Sequence, residues 1–257
     1  MAKKLNKGLK NKTRLDTFVV DKGLVKSRHR AKALIMAGKV LVNDCPVDKP
    51  GTLIADDANV IVKQDDNPFV SRGGLKLEAA LKSIPVSVNG LTCLDIGAST
   101  GGFTDCLLQY GAAKVYAVDV GYGQFDWTLR QNLRVKVIER TNIRQLPYEV
   151  INEKMDIIVA DTSFISLKVV IPSAEKFMRD HTLVLALIKP QFEAGKKNVG
   201  KGGVVKDPEI RKLVIKDLKV FFKERGYLVN QIVPSPIFGP KGNKEYIISL
   251  NYRENLN

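Results

Sequence analysis

Asp161 and Lys189 each close an apolar run, Ile157-Ile158-Val159-Ala160 before the first and Leu183-Val184-Leu185-Ala186-Leu187-Ile188 before the second. Such runs read as buried strands, which puts both charged residues at the strand ends where an α/β sheet keeps its chemistry. Taken singly, either could instead serve a strand-end salt bridge. A lysine neutralised by desolvation or by cationic neighbours acts as a base toward an alcohol, whereas a charged one stabilises a developing alkoxide. Both routes are open to Lys189.

A second set of residues suits a ligand. From Cys93 to Phe103 the chain reads as a strand, a glycine-rich turn and a helix start. Glycines permit a sharp turn and close backbone approach, and free N–H groups at the helix start face whatever binds. Asp119 ends the next strand 22 residues after Gly97, where a carboxylate can take both ribose hydroxyls of a nucleoside. The spacing is G-x-x-x-G-G and not the dinucleotide G-x-G-x-x-G, which favours S-adenosylmethionine, a nucleoside with no phosphate. A further stretch, Gly195 to Gly202, nearly matches a phosphate-binding loop, but Gly202 stands where Ser or Thr must hold magnesium. It reads as a flexible loop near substrate.

The elements that must position these groups alternate regularly. Strands are expected at 92–96, 114–119, 134–138, 156–160, 183–188, 228–233 and 245–251, with helices between most of them. The clearest helix is 208–225, with Asp207 as N-cap, Pro208 at its first position and Gly226 closing it. This alternation predicts a doubly wound, mostly parallel sheet. Ahead of it, residues 64–69 are polar and proline-containing, as a linker is. Before the linker, Leu15, Phe18 and Val19 mark a short helix stopped near Gly23. Ser27 caps a second helix with Ala31, Leu34 and Ile35 buried, and Val40, Val42 and 60–62 supply strands. Residues 1–13 hold five lysines and read as a disordered basic tail.

Composition narrows the partner. The 257-residue chain is 44% hydrophobic and carries a net charge of +14, which points to a polyanion, nucleic acid before anionic membrane. Residues 1–72 hold 15 Lys/Arg against 8 Asp/Glu, half of the total excess. Three widely spaced cysteines offer neither a disulfide framework nor a zinc cluster, so no metal is expected and the thiols suit a reducing, cytoplasmic setting. The basic start has no apolar stretch behind it, and the best apolar run, 182–188, is too short to span a bilayer.

Longer motifs then carry a resemblance. Arg14-Leu15-Asp16, Ser27-Arg28, Arg30, Leu34-Ile35, Ala37-Gly38 and Val40-x-Val42-Asn43 resemble the S4 RNA-binding module. Val70-Ser-Arg-Gly-Gly-Leu-Lys76-Leu, Asp95-Ile-Gly-Ala-Ser-Thr-Gly-Gly-Phe-Thr-Asp105, Asp119-Val-Gly-Tyr-Gly, Asp161-x-Ser-Phe-Ile-Ser-Leu, Ile188-Lys-Pro-Gln-Phe-Glu193 and Gly239-Pro-Lys-Gly-Asn-x-Glu245 resemble the TlyA family of S4-containing, FtsJ-like 2′-O-methyltransferases. The resemblance runs from about residue 14 to 252. It implies an S4-like domain at 14–63 and, at 70–257, a class I methyltransferase domain with a Rossmann-like seven-stranded sheet.

The resemblance also implies roles. It places a Lys-Asp-Lys-Glu tetrad on Lys76, Asp161, Lys189 and Glu245, with Lys189 activating the hydroxyl and the others setting its charge state and orienting the ribose. S-adenosylmethionine would be held by Asp95, Gly97, Ser99, Thr100, Gly101, Gly102, Phe103 and Asp119. Arg14, Arg28, Arg30 and Lys32 would meet phosphates of folded RNA, with Arg72 beyond the linker. The implied substrate is cytidine of ribosomal RNA, 23S and, with the basic tail in favour, 16S as well. Two other classes compete: an RNA-binding ribosome-assembly factor with a vestigial methyltransferase fold, and a membrane-active haemolysin, the label some members carry. The second lacks an apolar amphipathic helix to support it.

Overall fold

The computed structural model describes residues 12–25, 27–62, 67–239 and 241–254. The chain divides into two units after Pro68. The first contains β1 (Lys12–Arg14), α1 (Leu15–Asp21), α2 (Arg28–Met36), β2 (Val40–Val42), β3 (Cys45–Pro46), β4 (Leu53–Ala55) and β5 (Val60–Val62). Ser27 caps α2 as expected, accepting from the Arg30 N–H at 3.3 Å. Leu15, Phe18, Val19, Ala31, Leu34, Ile35 and Val40 form its core.

Two expectations shift here. Residues 1–11 of the expected tail lie outside the described residues, but Lys12 and Thr13 belong to β1, which pairs antiparallel with β4. That short ladder has no apolar periodicity to announce it, since its stabilising bonds are all backbone. Of the expected linker, 64–66 lie outside the described residues. Phe69 is not linker: at 3% exposure it is packed in the core of the second unit.

That unit continues with α3 (Gly73–Ser83), β6 (Thr92–Ile96), α4 (Gly102–Gln109), β7 (Lys114–Val118), α5 (Trp127–Arg130), β8 (Val135–Ile138), α6 (Tyr148–Ile151), β9 (Met155–Ala160), α7 (Leu167–Ser173), β10 (Met178–Ile188), α8 (Pro190–Glu193), α9 (Pro208–Glu224), β11 (Leu228–Pro234) and β12 (Tyr246–Asn251). Seven strands form one sheet in the order β11-β12-β10-β9-β6-β7-β8. Only β12 runs against its neighbours, pairing antiparallel with β10 and β11, so the expected mostly parallel sheet is present. Strand β10 starts at Met178, five residues before its apolar run. Exposed Arg179-Asp180-His181 hid this start, and buried Thr182 holds the irregular pairing, donating to the Met155 carbonyl at 2.7 Å.

Side chains alternate across the sheet and feed two apolar layers. Leu94, Ile158 and Val184 pack with α7 and α9 through Leu167, Ile171, Val214, Leu218 and Phe222. Cys93, Ile157 and Leu185 pack with α3 and α4 through Leu77, Ala80, Phe103 and Leu107. Each large side chain buried this way stabilises by about 1.5–3 kcal/mol, which fixes the strand ends that carry the site.

Candidate active site

The strand order reverses at β6. The chain leaves it toward β7 and β8, then returns to β9 on the other side, and crevices open at the carboxyl ends of strands at such a reversal. The two loops flanking this crevice are the Gly97 turn after β6 and Asp161 after β9. The Asp161 N–H bonds the Ile96 carbonyl at 3.0 Å. A Cβ on Gly97, whose φ is +80°, would lie 2.7 Å from the Asp161 carbonyl oxygen. Both backbone angle and space therefore demand glycine where the two loops touch.

Around this point the structure assembles the tetrad from four distant segments. Lys76 on α3 places Nζ 2.6 Å from Oε2 of Glu245 and 4.0 Å from Oδ2 of Asp161. Lys189, at the end of β10, places Nζ 2.5 Å from Oδ1 of Asp161 and donates to Ser163 Oγ at 2.9 Å. The Lys189–Asp161 contact is a close charge pair and not a well-aligned hydrogen bond. Lys76 and Glu245 are buried, at 7% and 2% exposure. Two cations and two anions thus form one chain, Glu245–Lys76–Asp161–Lys189. Removing one member of such a buried set strands its partner at a cost of about 3–5 kcal/mol.

Several residues hold this chain that spacing alone did not single out. Ser163, two residues past Asp161, is the non-carboxylate partner of Lys189. Gly239 lies so close to Glu245 Oε1 that any side chain there would collide with the carboxylate. Buried Asn243 donates to the Gly203 carbonyl at 2.9 Å and accepts from the Val205 N–H at 2.9 Å, tying the loop after β10 to the segment that carries Glu245. Glu193 accepts from Ser166 Oγ at 2.6 Å and from the Leu167 N–H at 2.8 Å, which locks the loop after Lys189 onto the helix after Asp161. Burial raises its carboxyl above the usual range, against the pull of those two donors. At the mouth, Phe164 is 90% exposed with a left-handed backbone (φ +64°), its ring 4.9 Å from that of Phe192. Ser163, Gly239, Asn243, Glu193, Phe164 and Phe192 all stand inside the motifs that carry the family resemblance, but apart from that resemblance only Ser163, beside a strand-end aspartate, carried a signal.

The expected cofactor residues gather on one side of the crevice. Gly101 (φ +97°) opens α4, and Gly102 lies against Ser71 Oγ with no room for a side chain. The first-turn N–H groups of α4 have no partners within the helix. Asp119 braces the turn, accepting from the Ser99 N–H at 2.7 Å through Oδ2 and from the Gly121 N–H at 2.6 Å through Oδ1. Each oxygen keeps a second lone pair for a ribose hydroxyl. Thr100 accepts from the Asp126 N–H at 3.1 Å. Phe103 is buried in the core, so its contribution to the turn is its backbone. Asp95 lies fully buried beneath, Oδ2 accepting from Thr104 Oγ1 at 2.7 Å while Oδ1 has no hydrogen-bond partner. Burial, with no cation beside it, pushes its carboxyl up to about 7. This narrow, glycine-lined cradle with a carboxylate facing it fits a nucleoside cofactor.

The expected RNA contacts divide. Arg14 and Arg28 converge on buried Asp16, Arg14 through bonds of 3.0 and 2.9 Å and Arg28 at 3.4 Å. Their side chains remain 50% and 57% exposed, so both can still face a phosphate. Arg30 and Lys32 follow on α2, Lys32 exposed. Arg72 belongs to the other unit, donating to the Phe238 carbonyl at 3.4 Å beside the Glu245 segment.

Comparison with known proteins bears on this arrangement. The family description "FtsJ-like methyltransferase" matches residues 69–252. The chain belongs to that family. An S4 domain matches residues 13–66. The chain is 45% identical over 240 residues to the 16S/23S rRNA (cytidine-2′-O)-methyltransferase TlyA of Mycobacterium tuberculosis, covering 93% of this chain and 90% of that protein. It is 43% identical over 240 residues to Hemolysin A of Brachyspira hyodysenteriae, covering 91% and 98%. A solved structure from Streptococcus thermophilus superposes with a TM-score of 0.74 at 40% identity, over 96% of this chain and 90% of that one. As an FtsJ-like methyltransferase with an S4 domain, the chain has among its described residues no helix long and apolar enough to cross a membrane.

Proposed function

We propose that this chain transfers a methyl group from S-adenosylmethionine to the ribose 2′-hydroxyl of cytidine in ribosomal RNA. The observation that carries the proposal is the meeting of the Gly97 turn and Asp161, which sets the nucleoside cradle directly against the Lys76–Asp161–Lys189–Glu245 chain. Relatives aligned over 93% of this chain and 90% of their own length, whose names give 2′-O-methylation of rRNA cytidine, support it. Ribosomal RNA as substrate places the work in the cytoplasm.

The cofactor, when bound, supplies an electrophilic methyl on a sulfonium. The remaining chemistry belongs to the protein. A neutral ribose hydroxyl is a poor nucleophile, so its proton must leave as the new O–C bond forms and the C–S bond breaks. Lys189 activates that hydroxyl: its ammonium first gives up a proton to solvent, and Nζ then takes the hydroxyl proton. Lys76 is bracketed by two carboxylates and stays the fixed cation, whereas Lys189 faces one carboxylate and the Ser163 hydroxyl. Asp161 touches both ammonium groups and aims Lys189, and Glu245 keeps Lys76 in place. The exposed Phe164 ring offers a base a stacking surface beside Lys189.

Tritiated methyl incorporation into ribosomal RNA tests the proposal. The wild-type chain labels it, and Lys189→Ala lowers the rate on the order of 10²–10⁴-fold with cofactor affinity retained. Undiminished transfer by that variant would overturn the role of Lys189. Failure of the wild type to bind S-adenosylmethionine by calorimetry, with or without RNA, would favour an assembly factor with a vestigial fold.

A further inference from the structure

Helix α9 carries Lys212, Lys216, Lys219 and Lys223. At 100° per residue the four fall within an arc of about 60°, a single row roughly 16 Å long. Lys212, Lys216 and Lys223 are exposed and Lys219 is half-buried, and together with Ile215 and Val220 they line a shallow groove.

The acids on this helix, Glu209, Asp217 and Glu224, compensate only Lys212 of the row among the ion pairs of the described residues. Glu209 pairs with Lys212 at 2.8 Å, and Asp217 is taken by Lys168 of α7 at 2.5 Å. Lys216, Lys219 and Lys223 have no ion-pair partner among the described residues. Self-repulsion within such a row is relieved when a polyanion with regularly spaced charges lies along it.

The row also starts at the site. Arg211, in the first turn, donates to the Val205 carbonyl at 3.0 Å and the Lys206 carbonyl at 2.6 Å. Val205 in turn is held by Asn243, two residues from Glu245. Lys196, Lys197, Lys201 and Lys206 are exposed on the loop that joins Lys189 to α9, so the connection from the crevice to the row is itself basic. A lipid surface fits less well. The apolar face of α9, Val214, Leu218 and Phe222, is buried against the sheet and is not available for insertion.

We propose that this row is a second RNA-binding surface, holding the phosphate backbone of a duplex segment that extends from the methylated nucleotide. The inference rests on the ribosomal RNA reading above, and it assigns RNA affinity to the methyltransferase unit itself, apart from the S4 domain.

The test compares the full-length chain with the triple variant Lys216→Ala/Lys219→Ala/Lys223→Ala and with the three Lys→Arg replacements. Anisotropy with labelled ribosomal RNA over a salt series reads binding, and methyl incorporation reads kcat and KM. The alanine variant should bind RNA on the order of ten-fold more weakly, with a log–log salt slope shallower by about 2–3. Its KM rises while kcat, cofactor affinity and Tm stay as in wild type, and the arginine variant binds as wild type does. An unchanged RNA affinity and salt slope overturns the proposal. So does loss of binding to phosphatidylglycerol vesicles with RNA binding intact, which would reassign the row to lipid. If wild type incorporates no methyl, the proposed reaction falls, and the anisotropy comparison still decides the row.

Discussion

Asp16 in the first unit and Asp95 in the second are both fully buried, and their carboxyls have opposite fates. Asp16 is reached by the guanidinium groups of Arg14 and Arg28, and its hydrogen bond with Arg14 holds its carboxyl down at about 2. Asp95 has only Thr104, and burial lifts its carboxyl to about 7. Burial alone favours the neutral acid, so a cation within reach decides which outcome follows. The small unit uses two of its basic residues as an internal anchor that still faces solvent. The larger unit places its buried Lys76 and the half-buried Lys189 in the tetrad and leaves no cation for the acid beneath the Gly97 turn. A paired charge positions its neighbours, while an unpaired one makes the region sensitive to pH.

The largest effect should come from breaking the tetrad's pairing. Lys76→Met strands Glu245 in a buried site, lowering stability by about 3–5 kcal/mol and abolishing transfer. The double variant Lys76→Met/Glu245→Gln should recover much of the lost Tm but none of the activity, separating the charge balance from the chemistry. Full activity in the double variant would contradict the assignment of Lys76 as the fixed cation.

Asp95 gives the next effect. Its carboxyl titrates at 3.8 when exposed and at about 7 when folded, so folding takes up a proton in between. Stability therefore falls as pH rises through that window. Asp95→Asn should flatten this slope and raise stability by roughly 2 kcal/mol above pH 7, as read from urea midpoints at several pH values. A slope unchanged in the variant would place the titration elsewhere.

Asp16 should show the opposite sign. Its stabilisation is complete above 3.8 and is lost as pH falls toward about 2. Asp16→Asn should remove that acid sensitivity and cost about 1–2 kcal/mol at neutral pH by weakening its charge-assisted bonds with Arg14 and Arg28. The smallest change is expected from Lys32→Glu on the exposed side of α2. RNA affinity should drop only several-fold, with stability unmoved, as suits one phosphate contact.

Legibility followed the range of the interactions. The Gly97 turn is built from neighbours in sequence, and its glycines and Asp119 stand where spacing put them. Asp161 and Lys189 were visible because an apolar run ending in a charge marks a strand end. Lys76 and Glu245 carried no such mark. They meet 169 residues apart, through α3 lying across α4 and β12 inserting antiparallel beside β10. The roles of Gly239 and Asn243, which the resemblance quoted without a task, and the early start of β10 were hidden for the same reason, since each is set by a contact with a distant segment.

By itself the sequence determined the alternation of strands and helices, the glycine turn, the basic excess toward the N-terminus and the kinship that named the tetrad. Tertiary structure decided which charges are paired. Asp16, Asp95, Asp161 and Glu245 are the same kind of group in the unfolded chain. They differ in the folded one because packing brings cations within 4 Å of three of them and leaves Asp95 with a hydroxyl.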